Sequence, residues 1–434
     1  MEYRLSIYSL PLEWEDCKYL FSTRSKALVK VTPTLWHALK SGNYFSESGI
    51  QSNPLIKKLA DTSIITTKEE DNLYYNKLKI QFLTKSFQSS HLSLTILPTQ
   101  ACNLCCPYCF EGDKNPISMS NDVEEALIKY ISSRPIKTYS ITWFGGEPLL
   151  RPDIIKSILE KLSLIKGITL TNHNIITNGT LLNHKVYDLF HRFPLDSIQI
   201  TLDGKKESHD KLRCDRNGMG SYDLIKKNLF DFIAEFPQTH VSIRVNVNKE
   251  NASDFIDIHR KVAAWFKGKK VSYNVYPGII KKVEDNIVSN GCLDRLEQQE
   301  FYLNLHSNGI KFHGFPKNQT GGCTATSAMS LVVGANGHIY KCWEDVGREN
   351  LTVGSVLMEN QGNQDILADY LINGSKFSNE ECKSCGYLPI CSGGCPKERI
   401  LNKNIKPHQC SLYSVNEGRL LKTVLKESIL TNKF

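Results

Sequence analysis

Ala101-Cys102-Asn103-Leu104-Cys105-Cys106-Pro107-Tyr108-Cys109-Phe110 is the stretch that decides the fold of this chain. Within it Cys102, Cys106 and Cys109 are spaced C-x3-C-x2-C, three thiolates in one short loop. Iron–sulfur clusters are normally held by four cysteine thiolates, and a catalytic metal site keeps one position open for substrate. Three sulfurs so close together therefore read as ligands of a 4Fe–4S cluster whose fourth iron is left to something that is not protein. A structural zinc loop is the competing reading. It needs a fourth Cys or His nearby, and Cys105 lies directly beside Cys106, where the two cannot easily face one ion.

Tyr108, the aromatic just before the last cysteine, completes a signature that resembles the radical S-adenosylmethionine (radical SAM) enzymes. The resemblance implies that the open iron chelates the amino and carboxylate groups of S-adenosylmethionine. It implies further that the reduced cluster cleaves the sulfonium to a 5′-deoxyadenosyl radical.

Composition agrees with a reduced, water-soluble enzyme. The 434 residues are too many for one ordinary core and predict two or three domains. A hydrophobic content of 41% and a charged content of 23% are ordinary for a globular protein. No run approaches a transmembrane helix, and Met1-Glu2-Tyr3-Arg4-Leu5 lacks the blocks of a signal peptide. Fourteen cysteines in such a chain point to metal ligands and a cytoplasmic location rather than disulfides. The net charge of +8 reads as a solvated basic surface. No basic run interleaved with aromatics points to nucleic acid, and nothing points to a membrane.

From His91 to about Ile280 strand and helix alternate. Strands are expected at 91–97, 139–144, 174–177, 197–202, 241–247 and 271–276. Helices are expected at 122–132 with Asn121 as N-cap, at 152–164, and at about 183–192, 221–235 and 253–266. Such α/β alternation means parallel pairing through right-handed crossovers. It allows a doubly wound sheet or a barrel; the resemblance selects an open, partial (β/α)6 barrel. In α/β barrels the chemistry sits at the C-terminal ends of the strands. There the chain places, in order, the cysteine loop, Gly145-Gly146-Glu147-Pro148, Thr177-Asn178-Gly179, Thr201-Leu202-Asp203-Gly204, and Asn246. Five polar or glycine-rich elements thus converge on one rim.

The resemblance gives these elements roles. Paired glycines let backbone approach a ligand closely, and the Glu of the matching family motif receives the methionine amino group, here Glu147 with Gly145 nearby. A hydroxyl at the end of the fourth strand reaches the ribose, here Thr201. Twelve residues on, Arg213 takes the place of an arginine that pairs with the methionine carboxylate, a task suited to its fork. Tyr108, Thr177, Asn178 and Asn246 complete the expected cofactor contacts. A glycine turn and a surface arginine are the plain alternatives for the Gly-Gly and Arg213 positions.

A second cysteine array follows: Cys323-x13-Gly337-x4-Cys342, then Cys382-x2-Cys385-x5-Cys391-x3-Cys395, then Cys410 fourteen residues later. It resembles the seven-cysteine SPASM domain, which implies two auxiliary 4Fe–4S clusters and three clusters in all. By that resemblance Cys382, Cys385, Cys391 and Cys410 close one. Cys323, Cys342 and Cys395 hold the other, whose fourth ligand is not evident because Met329 stands where some relatives carry a cysteine. Zinc knuckles are the alternative. The first ninety residues read as strands at 3–10 and 20–31, short helices at 33–39 and 55–59, a strand at 63–67 and a charged turn at 68–71. This pattern resembles winged-helix leader-peptide-binding domains, and a structural cap is the other reading. The expected division is therefore an α+β segment over 1–90, the barrel over 91–300 and a SPASM segment over 301–434.

Radical SAM with SPASM implies a polypeptide substrate. One branch oxidises a Cys or Ser of sulfatases to formylglycine, with an Asp base directly after the second SPASM cysteine; this chain has Trp343 there. The other branch crosslinks ribosomal precursor peptides through thioether, ether or carbon–carbon bonds. Cys342-Trp343-Glu344-Asp345 and the N-terminal extension look more like this second group, with a layout similar to maturases of the darobactin and cyclophane kind. The expectation is hydrogen abstraction from a side chain, attack on a neighbour, and loss of an electron to the auxiliary clusters. Glu344 or Asp345 takes the proton, and a flavodoxin or ferredoxin supplies reducing electrons. An iron–sulfur electron carrier or a zinc scaffold is the non-enzymatic alternative.

Overall fold

The computed structural model describes residues 2–109, 116–281, 291–358, 362–401 and 410–430. Phe110 of the cysteine loop and residues 282–290 of the expected barrel segment lie outside the described residues. The chain packs as two units. One comprises Met1–Phe87, Arg295–Ser327 and Ala368–Phe434; the other comprises Gln88–Asp294 and Ala328–Leu367. This packing cuts across the three consecutive segments expected from sequence.

In the first unit, β2 (Ser9–Trp14), β3 (Cys17–Ser22) and β4 (Leu28–Val31) form an antiparallel sheet. The strand β1 (Glu2–Leu5) pairs with β5 (Phe45–Ser46) and β6 (Ile65–Thr66) in a second. Leu20, Val31, Trp36, Leu39 and Leu59 form the buried centre between these strands and the helices Pro33–Lys40 and Pro54–Asp61. The expected strands over 3–10 and 20–31 are each divided in two by a turn, the second with Lys26 at φ +71°. The expected charged turn at 68–71 is instead the start of a helix, Lys68–Ser86. The Thr67 hydroxyl accepts from the Glu70 N–H and the Glu70 carboxylate accepts from the Thr67 N–H, a capping box. Glu69, Glu70 and Asp71 place negative charge at the positive end of the helix dipole. Asp71 turns inward, accepting from Ser6 Oγ at 2.7 Å, Thr66 Oγ1 at 2.9 Å and Ile7 N at 3.0 Å.

The second unit holds β7 (His91–Ile96), β8 (Thr138–Trp143), β9 (Thr169–Thr177), β10 (Ser197–Thr201), β11 (His240–Val247) and β12 (Tyr273–Ile279), parallel and adjacent in that order. Helices lie between them as expected, among them Asn121–Ser132, Pro152–Ser163, Tyr222–Glu235 and Phe255–Phe266. The N-cap of the first is Ser120 rather than Asn121: its Oγ accepts from Val123 N at 3.4 Å. Beyond β7 the sheet continues with β13 (Ser330–Val333), parallel to it, then β14 (His338–Tyr340) and β15 (Gly354–Ser355), both antiparallel. The pairing of β13 with β7 is what draws residues 328–367 into the barrel unit.

Side chains alternate across each strand, and here the two faces differ. Leu92, Leu94, Ile141, Ile198, Ile200 and Ile243 are buried on one face. The other face carries Thr95 and Thr142 in register, then Gln199 beside Ser242, and Thr201 beside Arg244. Parallel strands packed on both sides read as unbroken apolar runs; a polar inner face marks a lumen that holds something other than side chains. Among the described residues no helix is long and apolar enough to cross a membrane.

Candidate active site

The loop after β7 is fixed by its neighbours' backbone. Cys105 N–H donates to the Cys214 carbonyl at 2.9 Å. On the other side Gly145, at φ +123°, and Gly146 lie so close that an added Cβ would meet the Thr99 oxygen at 2.3 Å and the Ala101 oxygen at 2.2 Å. The paired glycines therefore serve first to seat the β8 turn on the cysteine loop, a closer constraint than the ligand contact expected of them. A cavity in this unit is lined by Cys102, Cys106, Tyr108, Cys109, Gly146, Thr177, Asn178, Thr201, Arg213 and Asn246. The ends of β7 to β11 deliver all but Arg213, which follows the helix Lys206–Leu212, so the five rim elements read from sequence do meet.

Tyr108 ties three of these ends together. Its hydroxyl donates to Asp203 Oδ2 and accepts from Arg213 Nη1 at 2.8 Å and Asn246 Nδ2 at 3.2 Å. Asp203, fully buried, also accepts from Asn246 N at 2.8 Å and lies 3.7 Å from Arg213. Burial works against the Arg213 charge, but Tyr108, Cys106 and Asp203 hold its proton more firmly than usual. Burial pushes the Tyr108 hydroxyl well up, so it stays protonated and donates. Behind them His209 Nδ1 accepts from Asp203 N at 3.1 Å, and its Nε2 meets Ser221 Oγ at 3.0 Å. Ser221 Oγ donates to the Arg213 carbonyl at 2.6 Å, so the remaining His209 proton sits on Nε2.

Glu147 lies outside the cavity lining and is fully buried. Its Oε1 accepts from Thr177 Oγ1 at 2.7 Å and Leu149 N at 3.0 Å, and its Oε2 from Asn178 N at 2.7 Å. A carboxylate has about four acceptor positions, so about one remains for a ligand. Burial raises its pKa, opposed by those three hydrogen bonds. Asn178 Nδ2 donates to Asn103 Oδ1 at 2.8 Å and points at Cys102 Sγ, 3.9 Å away. Of the two candidate bases, Glu344 lines the cavity 3.7 Å from Lys281, whereas Asp345 is fully buried and does not. Trp343 lines the cavity against Phe144, ring centroids 5.0 Å apart.

Sequence reading missed Asp203 as a site residue and missed Arg244, Gln199 and Lys281 altogether. The signal for Gln199 and Arg244 was the period of two along β10 and β11, each two residues before a rim residue already singled out.

The residues fit the expected cofactors. Burial pushes the Cys106 thiol up to about 11, with Arg213 opposing and Cys109 and Cys102 adding to it. A thiol so raised gives up its proton when a cationic metal centre takes the proton's place. Arg213 Nε is buried without a hydrogen-bond partner among the described residues, an orphan donor beside the cavity. Among the described residues no three His, Cys, Asp or Glu side chains gather tightly enough for a single ion; in a 4Fe–4S cluster each thiolate takes a different iron. In the other unit, burial raises the Cys385 and Cys410 thiols, and neighbouring Cys382 and Cys391 raise both further. Arg399 Nη2 lies 3.6 Å from Cys382 Sγ, and Lys376 Nζ donates to the carbonyls of Cys391 at 2.7 Å and Leu388 at 3.1 Å. Arg295 donates to the Cys410 carbonyl. Buried Lys376 and Arg399 and half-buried Arg295 beside these cysteines suit an anionic metal–thiolate group. Cys323 and Cys395 belong to this unit too, and Cys342 to the barrel unit.

Comparison with known proteins agrees. The radical SAM superfamily profile matches residues 96–262. The cysteine-type anaerobic sulfatase-maturating enzyme of Clostridium perfringens is 23% identical over 342 residues, covering 71% of this chain and 90% of that one. Among solved structures, native anSMEcpe with bound AdoMet and Cp18Cys peptide superposes with a TM-score of 0.59 at 20% identity, over 79% of this chain and 99% of that one. Streptococcus suis SuiB bound to precursor peptide SuiA gives 0.53 at 17% identity, over 95% of this chain and 100% of that one. Residues 96–262 are a radical SAM domain, carried in a chain that shares its fold with anSMEcpe and SuiB.

Proposed function

We propose that this enzyme modifies a ribosomally made precursor peptide by side-chain hydrogen abstraction and oxidative crosslinking. The observation that carries the reading is Trp343, directly after Cys342 and in the cavity wall, where the resemblance gives sulfatase-maturating enzymes an aspartate base. The carboxylate that does face the cavity is the next residue, Glu344.

Cys102, Cys106 and Cys109 hold the radical SAM cluster in this reading, and Glu147, Thr201 and Arg213 hold the amino, ribose and carboxylate parts of S-adenosylmethionine. Cys382, Cys385, Cys391 and Cys410 hold one auxiliary cluster; Cys323 and Cys395 contribute to another. When bound, these groups supply a hydrogen-abstracting radical and an acceptor for one surplus electron. Gly146 and the Tyr108–Asp203–Arg213–Asn246 network keep the rim rigid around the reacting centre. Trp343 and Phe144 wall off water. The crosslink removes two hydrogens from the peptide, one as an atom and one as a proton with an electron left over, and Glu344 receives that proton. A flavodoxin or ferredoxin primes the enzyme, and the N-terminal strands grip a leader peptide.

The printed names of the sulfatase-maturating relatives support formylglycine formation as a second reading. Anaerobic incubation of reconstituted enzyme with S-adenosylmethionine, reductant and the peptide encoded beside its gene separates the two. A product lighter by two hydrogens that does not react with hydrazide supports crosslinking. A hydrazide-reactive product from a sulfatase-derived Cys or Ser peptide, with the neighbouring peptide unchanged, overturns it.

A further inference from the structure

The lumen of the barrel carries a cation that nothing described so far uses. Three cationic side chains line the cavity: Arg213, Arg244 and Lys281. Arg213 has Asp203 at 3.7 Å and Lys281 has Glu344 at 3.7 Å. Arg244 pairs with no carboxylate among the described residues. Its Nε donates to Asn246 Oδ1 at 2.8 Å, and the Tyr276 hydroxyl lies beside it, donating in turn to Gln199 Oε1 at 2.5 Å. A guanidinium has five donors, so these two neighbours leave most of the fork open. Gly278 makes the space: an added Cβ would come within 2.4 Å of Arg244 Nε and 2.8 Å of its Cζ.

Arg244 stands deeper than the rim, although its Nε reaches up to Asn246. Asn246, in the Tyr108 network, stands at the rim. Arg244 is two residues back along the same face of β11, about 7 Å further into the lumen, level with Tyr276 across the ladder. From the cysteine loop inward, a ligand passes the rim network first and Arg244 next. A half-buried, half-open guanidinium is a geometrically selective partner for a carboxylate.

We infer that Arg244, with Tyr276 beside it, is a subsite for a carboxylate of the peptide substrate, either an acidic side chain near the reacting residue or the peptide's C-terminus. The inference rests on the proposed peptide-modifying function and deepens it. The probes are three short synthetic peptides: one with a single Glu and an amidated C-terminus, its Gln counterpart, and the Gln peptide with a free C-terminus. Each is titrated onto the reconstituted full-length chain with S-adenosylmethionine and followed by fluorescence anisotropy. The Glu or the free-terminus peptide is expected to bind about tenfold or more tightly than the amidated Gln peptide, and whichever gains identifies the source of the carboxylate. The gain disappears in R244Q and is partly kept in R244K, which retains charge without the fork; iron content and circular dichroism confirm that both variants fold. Equal binding of all three peptides by the wild type overturns the inference. So does a gain that R244Q leaves intact, including the case where R244Q weakens only S-adenosylmethionine. If the gain depends on Arg244 but the neighbouring-gene peptide is never made lighter, the crosslinking reading fails and the subsite stands.

Discussion

The Tyr108 hydroxyl donates to Asp203, joining the cysteine loop after β7 to the end of β10 across two intervening strands. Asp203 also faces Arg213, so one buried carboxylate serves a phenol, a guanidinium and the Asn246 N–H. Removing one partner of a buried charge pair leaves the other uncompensated, at a cost of roughly 3–5 kcal/mol. D203N is expected to lose stability on that scale. Y108F should cost only about 1 kcal/mol, because Arg213 can still face Asp203 directly. Anaerobic urea unfolding of both variants measures the order; Y108F as damaging as D203N would contradict it.

Acid should loosen the same network through histidine. Burial drives the His209 pKa down to about 3, with Arg213 opposing its protonation further, and its Nδ1 must stay bare to accept from Asp203 N. His173 is likewise lowered, chiefly by burial; its Nε2 accepts from Trp143 Nε1 at 2.8 Å. A folded pKa below the unfolded value means stability is present in full above about 6.5 and is lost as pH falls through the window toward 3. Thermal melting from neutral pH to pH 5 should show a falling midpoint, flattened in H209Q, which keeps one acceptor and one donor. An unchanged slope in H209Q places the effect elsewhere.

The barrel was legible because its helices and outward strand faces carry aliphatic residues at fixed periods, and its rim because chemistry follows strand ends. What the sequence concealed was tertiary. In the helix Lys68–Ser86 the inward Tyr74, Leu78 and Phe82 are blurred by exposed Leu73, Ile80 and Leu83, so the apolar stripe does not stand out; Thr67 and Glu70, spaced as a capping box, were the clearer sign. Asp203 looked like part of a glycine turn, since nothing nearby in sequence tells that Tyr108 and Arg213 arrive around it. The attachment of β13 to β7 spans more than two hundred residues and has no local signature. Glu147 was singled out by motif, but its burial beneath Thr177 and Asn178 was not foreseen.

With Glu147 holding the cofactor's amino group, as proposed, that burial gives binding a pH dependence. Burial raises the Glu147 pKa, so a proton competes with the cofactor there up to a higher pH than at an ordinary carboxylate, and this group's contribution to stability is lost as pH rises through that value. A cationic amino group binds only the ionised form. S-adenosylmethionine affinity should therefore climb with pH up to the raised pKa and level off above it. In E147Q affinity should be lower and independent of pH across the same range. Equilibrium dialysis of labelled cofactor at a series of pH values reads this out; parallel profiles for both proteins would remove Glu147 from the cofactor.

Iron content separates the two cysteine arrays. Three clusters require about twelve irons per chain, four for each. C385S, which takes one thiol from the set around Lys376 and Arg399, should lower the count by about four and still form 5′-deoxyadenosine. C106S should lose a similar amount of iron and form none. Zinc in place of iron in the wild type, or full iron in C385S, would show that the second array is not the cluster site argued for it.

Glu344 is the side chain whose replacement should divide the reaction. It faces the cavity beside Lys281 and Trp343, while Asp345 is buried away from it. A positioned general base contributes typically 10²–10⁴-fold, and it acts only after hydrogen abstraction has begun. E344Q should therefore go on cleaving S-adenosylmethionine while crosslinked product falls by about that factor, so that 5′-deoxyadenosine outruns product. D345N should instead lower stability, with product and 5′-deoxyadenosine falling together. Running both variants against the neighbouring-gene peptide, with product and 5′-deoxyadenosine quantified in the same sample, makes the ratio independent of how much enzyme is active. A ratio unchanged in E344Q assigns the proton to another acceptor, and a ratio that rises in D345N alone reverses the assignment.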